Sequence, residues 1–217
     1  MTTYVFDVGE TLVDESRHWL RVATELGVPA FTFLGVFGEV IAAGLDHREV
    51  FVRFGTTAEA FHAEVDARND PADGLLPTDL YPDALPALRG LVNVGHVVAL
   101  AGNQPLRAER VLSEFGLPVS FIATSAGWGV AKPSPEFFVK VIEVADVAPA
   151  SIVYVGDRLD NDVLPAKAAG LTAILIRRGP WGHLHALRPE ASKADRIIDS
   201  LTELFNENPN GYDGAAR

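Results

Sequence analysis

Tyr4-Val5-Phe6-Asp7-Val8-Gly9-Glu10-Thr11-Leu12 sets a carboxylate at the end of a short apolar run, within a few residues of the chain start. A charged side chain at the tip of a buried strand is costly unless something pairs with it. A second run, Ile152-Val153-Tyr154-Val155, ends the same way in Gly156-Asp157. Near-continuous apolar runs mark strands buried on both faces of a parallel sheet, and ligands of such sheets bind outside the carboxyl ends of the strands. If the two strands are neighbours, Asp7 and Asp157 face one crevice.

The carboxyl-terminal half alternates strand and helix signals around these runs. Residues 94–101 read as a buried strand, and residues 105–115 as a helix with Pro105 in its first turn and Gly116 just past its end. A short strand follows at 119–124. Ser134-Pro135 reads as an N-cap followed by a first-turn proline, opening a helix over 135–145 with Glu136 at the positive end of its dipole. A strand at 152–156, a helix at 161–169 closed by Gly170, and a strand at 172–176 continue the series. Strands alternating with helices of this length predict an α/β chain with right-handed crossovers and a mostly parallel, helix-covered sheet.

Residues 16–80 break the alternation. Trp19, Leu20, Val22, Ala23 and Leu26 fall on one helical face, as do Phe33, Leu34, Phe37, Val40 and Ile41, with further helical signals near 46–54 and 57–68. This stretch reads as a helical insertion whose aromatic face is core. The turn formers after Phe205, Asn206-Glu207-Asn208-Pro209-Asn210-Gly211, predict a frayed tail.

Composition narrows the chemistry. A chain of 217 residues with 48% hydrophobic and 22% charged residues can bury a full core. No apolar run approaches the roughly 20 residues of a membrane span, and Asp7 comes too early for a secretory signal core, so the expected location is cytoplasmic. The absence of cysteine excludes disulfides, thiolate metal sites and thiol nucleophiles, leaving oxygen and imidazole as metal ligands and hard cations such as magnesium as the default. A net charge of −11 argues against a nucleic-acid partner, which would call for clustered Lys and Arg. With only four lysines in the chain, the position of Lys132 carries weight.

Four elements now line up: Phe6-Asp7-Val8-Gly9-Glu10-Thr11-Leu12; a strand ending in Ala101-Gly102-Asn103; Lys132 in Gly129-Val130-Ala131-Lys132-Pro133-Ser134-Pro135; and Val155-Gly156-Asp157-Arg158-Leu159-Asp160-Asn161-Asp162. Their order and their strand-end placement resemble the haloacid dehalogenase superfamily, in its phosphatase-like branch, over nearly the whole chain. The resemblance implies a Rossmann-like catalytic core over 1–15 and 81–206, a helical cap over 16–80 inserted between the first and second motifs, and a flexible tail over 207–217. It also implies a magnesium-dependent hydrolase of small phosphorylated metabolites, with no membrane partner.

Residue by residue, Asp7 matches the nucleophile that forms an aspartyl-phosphate, a role open to carboxylates generally. Asp157 matches the carboxylate that holds magnesium, with Asp162 as a second acid and the backbone carbonyl of Gly9 as a further ligand; such oxygen sets suit that ion. Lys132 matches the lysine that neutralises nucleophile and phosphate. Gly102 and Asn103 stand at the phosphate-binding motif, where the Asn103 backbone N–H, beside a helix start, can serve an anion.

Two positions depart from the pattern. Phosphatases of the family usually carry a second Asp two residues after the nucleophile as general acid and base, and here that residue is Gly9. At the second motif Gly102 replaces a hydroxyl residue. Losing a general acid–base costs about 10²–10⁴ in rate, and losing a hydrogen bond to a charged group about 1.5–3 kcal/mol. Because enzymes accelerate phosphate-monoester hydrolysis by up to about 10²¹, a slow phosphatase is still expected, with Glu10 or a cap residue as the candidate stand-in. A non-catalytic or weakly active binding or regulatory protein on the same scaffold is the alternative. A 2-haloacid dehalogenase ranks below it, because that branch uses no metal and carries an aromatic residue where Gly9 stands.

Weaker signals complete the reading. His183 and His185 have a spacing seen in metal sites but read as loop residues. Trp128 and Trp181 follow strand ends and read as packing, and Arg158 reads as an ion-pair partner next to Asp157.

Overall fold

The computed structural model describes residues 1–68 and 74–205. The expected tail at 207–217 lies outside them, as do Asn206 and residues 69–73 of the helical insertion. The chain forms strands β1 (Thr3–Phe6), β2 (Val97–Gly102), β3 (Ile122–Thr124), β4 (Ile152–Gly156), β5 (Thr172–Ile176) and β6 (Arg196–Ile198). Its helices are α1 (Ser16–Glu25), α2 (Ala30–Ala42), α3 (Glu49–Arg53), α4 (Ala58–Arg68), α5 (Ala84–Asn93), α6 (Leu106–Glu114), α7 (Ser125–Trp128), α8 (Pro135–Ala145), α9 (Leu164–Ala168) and α10 (Gly179–His185).

The six strands form one parallel sheet in the order β3-β2-β1-β4-β5-β6. Strand β1 is central, with Phe6 opposite Leu100 on one side and Val155 on the other. The chain builds outward from β1 through β2 to β3 and then crosses back to β4, so the order reverses between β1 and β4. That reversal opens a crevice at the carboxyl ends of those two strands. Side-chain alternation divides the core between the two sheet faces. Phe6, Leu100 and Val155 pack with Leu88, Leu91 and Leu112 on one face, while Val5, Tyr154 and Leu175 pack with Phe137, Phe138 and Val141 on the other.

Helices α1–α4 hold a separate cluster, in which Trp19, Val22, Phe33, Phe37, Val50, Phe51 and Phe61 are buried. The apolar stripes are narrower than the sequence suggested. Leu20 and Leu34 point to solvent, because each follows a buried aromatic by one residue and so turns about 100° off the stripe. The chain leaves and re-enters the sheet layer through two adjacent segments. The Asp14 N–H donates to the Asp79 carbonyl at 2.8 Å, and the Tyr81 N–H donates to the Leu12 carbonyl at 2.9 Å. Arg17 adds a side-chain tie to Asp79 at 2.8 Å.

Several boundaries differ from the sequence reading. The strand expected at 94–101 starts at Val97, because Gly95, with φ of +88°, turns the chain after α5. The strand at 119–124 shrinks to Ile122–Thr124. Ser134 occupies the N-cap position of α8, but its hydroxyl bonds the Glu136 carboxylate instead of the helix backbone. The helix expected at 161–169 begins as one π turn, Leu159–Val163, in which the N–H groups of both Asp162 and Val163 donate to the Arg158 carbonyl, at 3.0 and 3.1 Å. Helices α5 and α10 and strand β6 lay outside the expected elements. Among the described residues no single helix is long and apolar enough to cross a membrane.

Candidate active site

Asp7 and Asp157 emerge from the ends of neighbouring strands, as their positions in the sequence predict. The Asp7 N–H extends the ladder by donating to the Val155 carbonyl at 2.9 Å, which fixes the first carboxylate beside Gly156 and Asp157. Asp162 joins them through the π turn. The extra residue in that turn re-aims the side chain, as π turns at functional sites commonly do. Carboxylate oxygens of Asp7, Asp157 and Asp162 lie within 4.8 Å of one another, and all three residues are buried.

Among the described residues one cation, Lys132, makes ion pairs with this cluster. The Lys132 Nζ is 2.7 Å from the Asp7 Oδ1 and 2.6 Å from the Asp162 Oδ1. Burial opposes its charge, but Asp162 and Asp7 outweigh burial and hold its pKa well above the ordinary lysine value. Tyr154 and Phe137 flank the ammonium with their rings, at 5.4 and 5.9 Å to the centroids, and the Tyr154 hydroxyl is spent on the Ala101 carbonyl at 2.7 Å. Asn103 clamps the lysine backbone from both sides: its Nδ2 donates to the Lys132 carbonyl at 2.9 Å, and its Oδ1 accepts from the Lys132 N–H at 2.8 Å. The asparagine side chain thus positions Lys132, a function the sequence reading had not given it.

Three carboxylates against one ammonium leave a surplus of negative charge in a dry place. The second Asp162 oxygen accepts from the Arg158 N–H at 3.0 Å, whereas the Asp157 Oδ2 is buried with no hydrogen-bond partner. Burial first, then Asp162 and Asp7, raise the Asp157 pKa well above that of an ordinary carboxyl. Burial and Asp7 also raise that of Asp162, against the pull of Lys132.

The two unusual glycines sit against carboxylates. A Cβ at Gly102 would meet the Asp7 Oδ1 at 2.6 Å, so the missing side chain gives the nucleophile candidate room to lie flat on β2. A Cβ at Gly9 would meet three heavy atoms first, all of them in the Glu15 carboxylate, with Oε1 well inside 3.0 Å. Glu10, the stand-in considered from sequence, is turned away. With φ of +49° it sends its carboxylate to the Tyr81 hydroxyl at 2.6 Å and to the Glu15 N–H at 3.0 Å. Glu15 had drawn no notice in the sequence. Its Oε2 accepts from the Trp19 Nε1 at 3.2 Å, and burial, aided by the Glu10 charge, pushes its pKa up to about 8.

A cleft of about 670 Å³ opens over Lys132, bounded by Asn103, Gln104, Ser125, Arg158 and Asn161 of the sheet layer and by Asp46, His47 and Arg48 from the loop between α2 and α3. Arg158 pairs with Asp160 at 2.7 Å, as expected, and its guanidinium also lies 5.0 Å from the Trp181 ring centroid. Trp181 in turn meets Phe37 edge-on at 5.4 Å, so one aromatic of α10 joins the sheet layer to the helical insertion. Trp128 packs on Phe137 at 5.1 Å. His183 and His185 lie on α10 and not on a loop. His185 is buried and accepts the Leu159 N–H at 3.0 Å through Nδ1, which makes it a support for the π turn.

Comparison with known proteins bears on the family and the fold. A family model for haloacid dehalogenase-like hydrolases matches residues 1–170. A phosphoglycolate phosphatase of Cereibacter sphaeroides is 32% identical over 190 residues, covering 82% of this chain and 86% of that protein. A glyceraldehyde 3-phosphate phosphatase of Methanopyrus kandleri is 33% identical over 129 residues, covering 58% of this chain and 55% of that protein. The chain spans about half the length of several of the curated relatives it matches. Among solved structures, a hydrolase of the same superfamily from Geobacter sulfurreducens aligns over 94% of both chains with a TM-score of 0.66 at 21% identity, a likeness of fold.

Proposed function

From the premise that this chain belongs to the haloacid dehalogenase-like hydrolase family, we propose that it is a magnesium-dependent phosphohydrolase of small phosphorylated metabolites, working through an aspartyl-phosphate. The observation that carries the reading is the buried Asp7–Lys132–Asp162 array beside an unpartnered Asp157. Lys132 lowers the cost of bringing an anionic phosphate up to an anionic nucleophile. Residues 16–80 serve as the cap, placing Asp46, His47 and Arg48 over the cleft where the ester's leaving group would lie. The phosphatase names of the relatives support a phosphomonoester substrate.

The donor set fits a hard divalent cation. Three mutually close carboxylates, one with a buried and unbonded oxygen, carry more negative charge than Lys132 offsets. Asp7 and Asp157 would hold the ion, with Asp162 completing the acidic set. When bound, magnesium supplies charge neutralisation for the phosphoryl oxygens and for the nucleophile. The protein itself contributes orientation: the β1 ladder aims Asp7, the Asn103 clamp fixes Lys132, and Tyr154 and Phe137 keep water from the ammonium.

The test is turnover of a panel of phosphate monoesters that includes phosphoglycolate and glyceraldehyde 3-phosphate. Release of inorganic phosphate that is abolished by EDTA and by Asp7→Asn is the expected result. No release from any ester, or release indifferent to both treatments, overturns the reading. A rise in melting temperature with magnesium and a phosphate analogue, without any hydrolysis, would favour the non-catalytic alternative.

A further inference from the structure

Hydrolysis of an alkyl phosphate needs a proton for the departing alkoxide and then a base for the water that cleaves the covalent intermediate. The other acids of the site have other commitments: Asp162 to Lys132 and the Arg158 N–H, Glu10 to Tyr81 and the Glu15 N–H, and Asp157, close to Asp7 and without a hydrogen-bond partner at one oxygen, to the proposed ion. A further carboxylate, that of Glu15, meets Gly9. Glu15 starts on the segment that leads into α1, yet its side chain folds back over Gly9, two residues beyond Asp7, where its Oε1 occupies the volume a side chain at that position would need. Its other oxygen is held by the Trp19 indole at 3.2 Å, and Trp19 is itself wedged between Phe33 and Phe37. The Glu10 carboxylate pins its backbone N–H at 3.0 Å. A residue on the cap linker is thus anchored at both ends with one oxygen lying against Gly9.

We propose that Glu15 is the proton carrier of this enzyme, reaching the reacting atoms from the cap linker through the space left by Gly9. The assignment rests on the phosphohydrolase reading. In the first half-reaction an Asp7 oxygen bonds to phosphorus as the ester P–O bond breaks, and the leaving alkoxide takes the proton of the Glu15 carboxyl to depart as the alcohol. In the second, the Glu15 carboxylate takes a proton from water, whose oxygen bonds to phosphorus as the Asp7–phosphorus bond breaks. Inorganic phosphate leaves, and Asp7 and Glu15 return to their starting forms. The geometry carries a second consequence: a carboxylate at position 9 and the observed Glu15 side chain exclude each other, so only one of them can occupy the site at a time.

Leaving-group dependence tests this. An alkyl ester such as phosphoglycolate needs the proton, whereas p-nitrophenolate departs without one. Glu15→Gln keeps an acceptor for Trp19 and should lose about 10²–10⁴-fold in steady-state turnover of the alkyl ester. It should still release one equivalent of p-nitrophenol per enzyme in a burst, with phosphoenzyme accumulating behind it. Gly9→Asp alone should gain nothing, while Gly9→Asp combined with Glu15→Ala should recover at least tenfold over Glu15→Ala by itself, a rescue that a merely structural Glu15 would not allow. The proposal is overturned if Glu15→Gln abolishes the p-nitrophenol burst as it does alkyl-ester turnover, or slows neither ester, or if the double variant is no better than Glu15→Ala. Failure of the underlying reading looks different: wild-type protein inert toward every ester, or Asp7→Asn as active as wild type.

Discussion

Asp157→Asn should make the metal-free protein more stable and the magnesium-loaded protein no better for the metal. Asp157 is 2% exposed, and its Oδ2 has no hydrogen-bond partner. Its oxygens lie within 4.8 Å of Asp7 and Asp162, a distance at which two like charges in an effective dielectric of about 20 repel by about 3.5 kcal/mol. Proton uptake relieves that repulsion, in line with the raised pKa. The cost that remains is an unpaired buried oxygen, about 1–3 kcal/mol. Asparagine has the same shape, carries no charge, and offers an N–H to either flanking carboxylate. The variant should therefore melt higher in EDTA by roughly 2–12 °C, at about 2–4 °C per kcal/mol for a chain of this size. Magnesium at about 100 times its dissociation constant should stabilise the wild type by about 2.7 kcal/mol and the variant by almost nothing. Differential scanning fluorimetry in EDTA and in magnesium reads both arms. A variant that melts below wild type in EDTA, or that keeps the full magnesium shift, refutes the claim that Asp157 is held for the ion at the expense of the fold.

Two further outcomes test the support of the site. Trp181→Ala removes the aromatic that touches both Phe37 and the Arg158 guanidinium, so urea denaturation should show a loss of about 3–5 kcal/mol, and the half-buried Trp128→Ala a smaller one; equal losses would contradict the bridging role. His185 titrates near 4 because burial opposes its charge, against about 6.5 in an unfolded chain, so the unfolded state binds the extra proton between those values. Stability should be complete above about pH 6.5 and fall as pH drops toward 4. His185→Gln keeps an acceptor for the Leu159 N–H without a proton to gain, so its urea midpoint should fall less over that window. An identical acid slope in wild type and variant would count against it.

The strand-end acids were legible because a carboxylate closing an apolar run carries its own cost, and the pairing that offsets it can be anticipated from a second such run. Asp7 and Asp157 lie on adjacent strands for that reason, and Lys132 stood out by scarcity. What escaped depends on packing between distant segments. Strand β6, Arg196-Ile197-Ile198, is three residues long on the sheet edge, too short for any periodicity to show. Helix α10 starts Gly179-Pro180-Trp181-Gly182, a composition that reads as turn, and is held because Trp181 docks on the insertion. Asn103 was placed at the phosphate by position alone, whereas its side chain is committed to a peptide 29 residues away. Glu15 carried no signal because nothing local marks a linker glutamate whose partner is the empty side of Gly9.

That emptiness is a recurring device in this site. A Cβ at Gly156 would collide with the Asp162 Oδ2, one at Gly179 with the Glu10 Oε2, one at Gly102 with the Asp7 Oδ1, and one at Gly9 with the Glu15 Oε1, each inside 3.0 Å. Each of four glycines therefore makes room for one carboxylate, and two of those carboxylates, Asp7 and Asp162, meet Lys132. Seen in isolation, Gly9 and Gly102 are deletions of a proton carrier and of a phosphate hydrogen bond. Seen with their neighbours, they are the steric condition for Glu15 to enter from the linker and for Asp7 to lie beside Lys132. A side chain restored at Gly102 would push Asp7 off the ammonium that neutralises it, so the hydroxyl missing there is exchanged for the alignment of the proposed nucleophile. The same logic makes the placement of Glu15 conditional on the cap: its anchor is Trp19, its backbone sits where the chain enters α1, and any movement of the helical insertion moves the acid with it. In the proposed role of Glu15, cap position and proton supply are joined in one residue, which a carboxylate on the rigid segment beside β1 could not achieve.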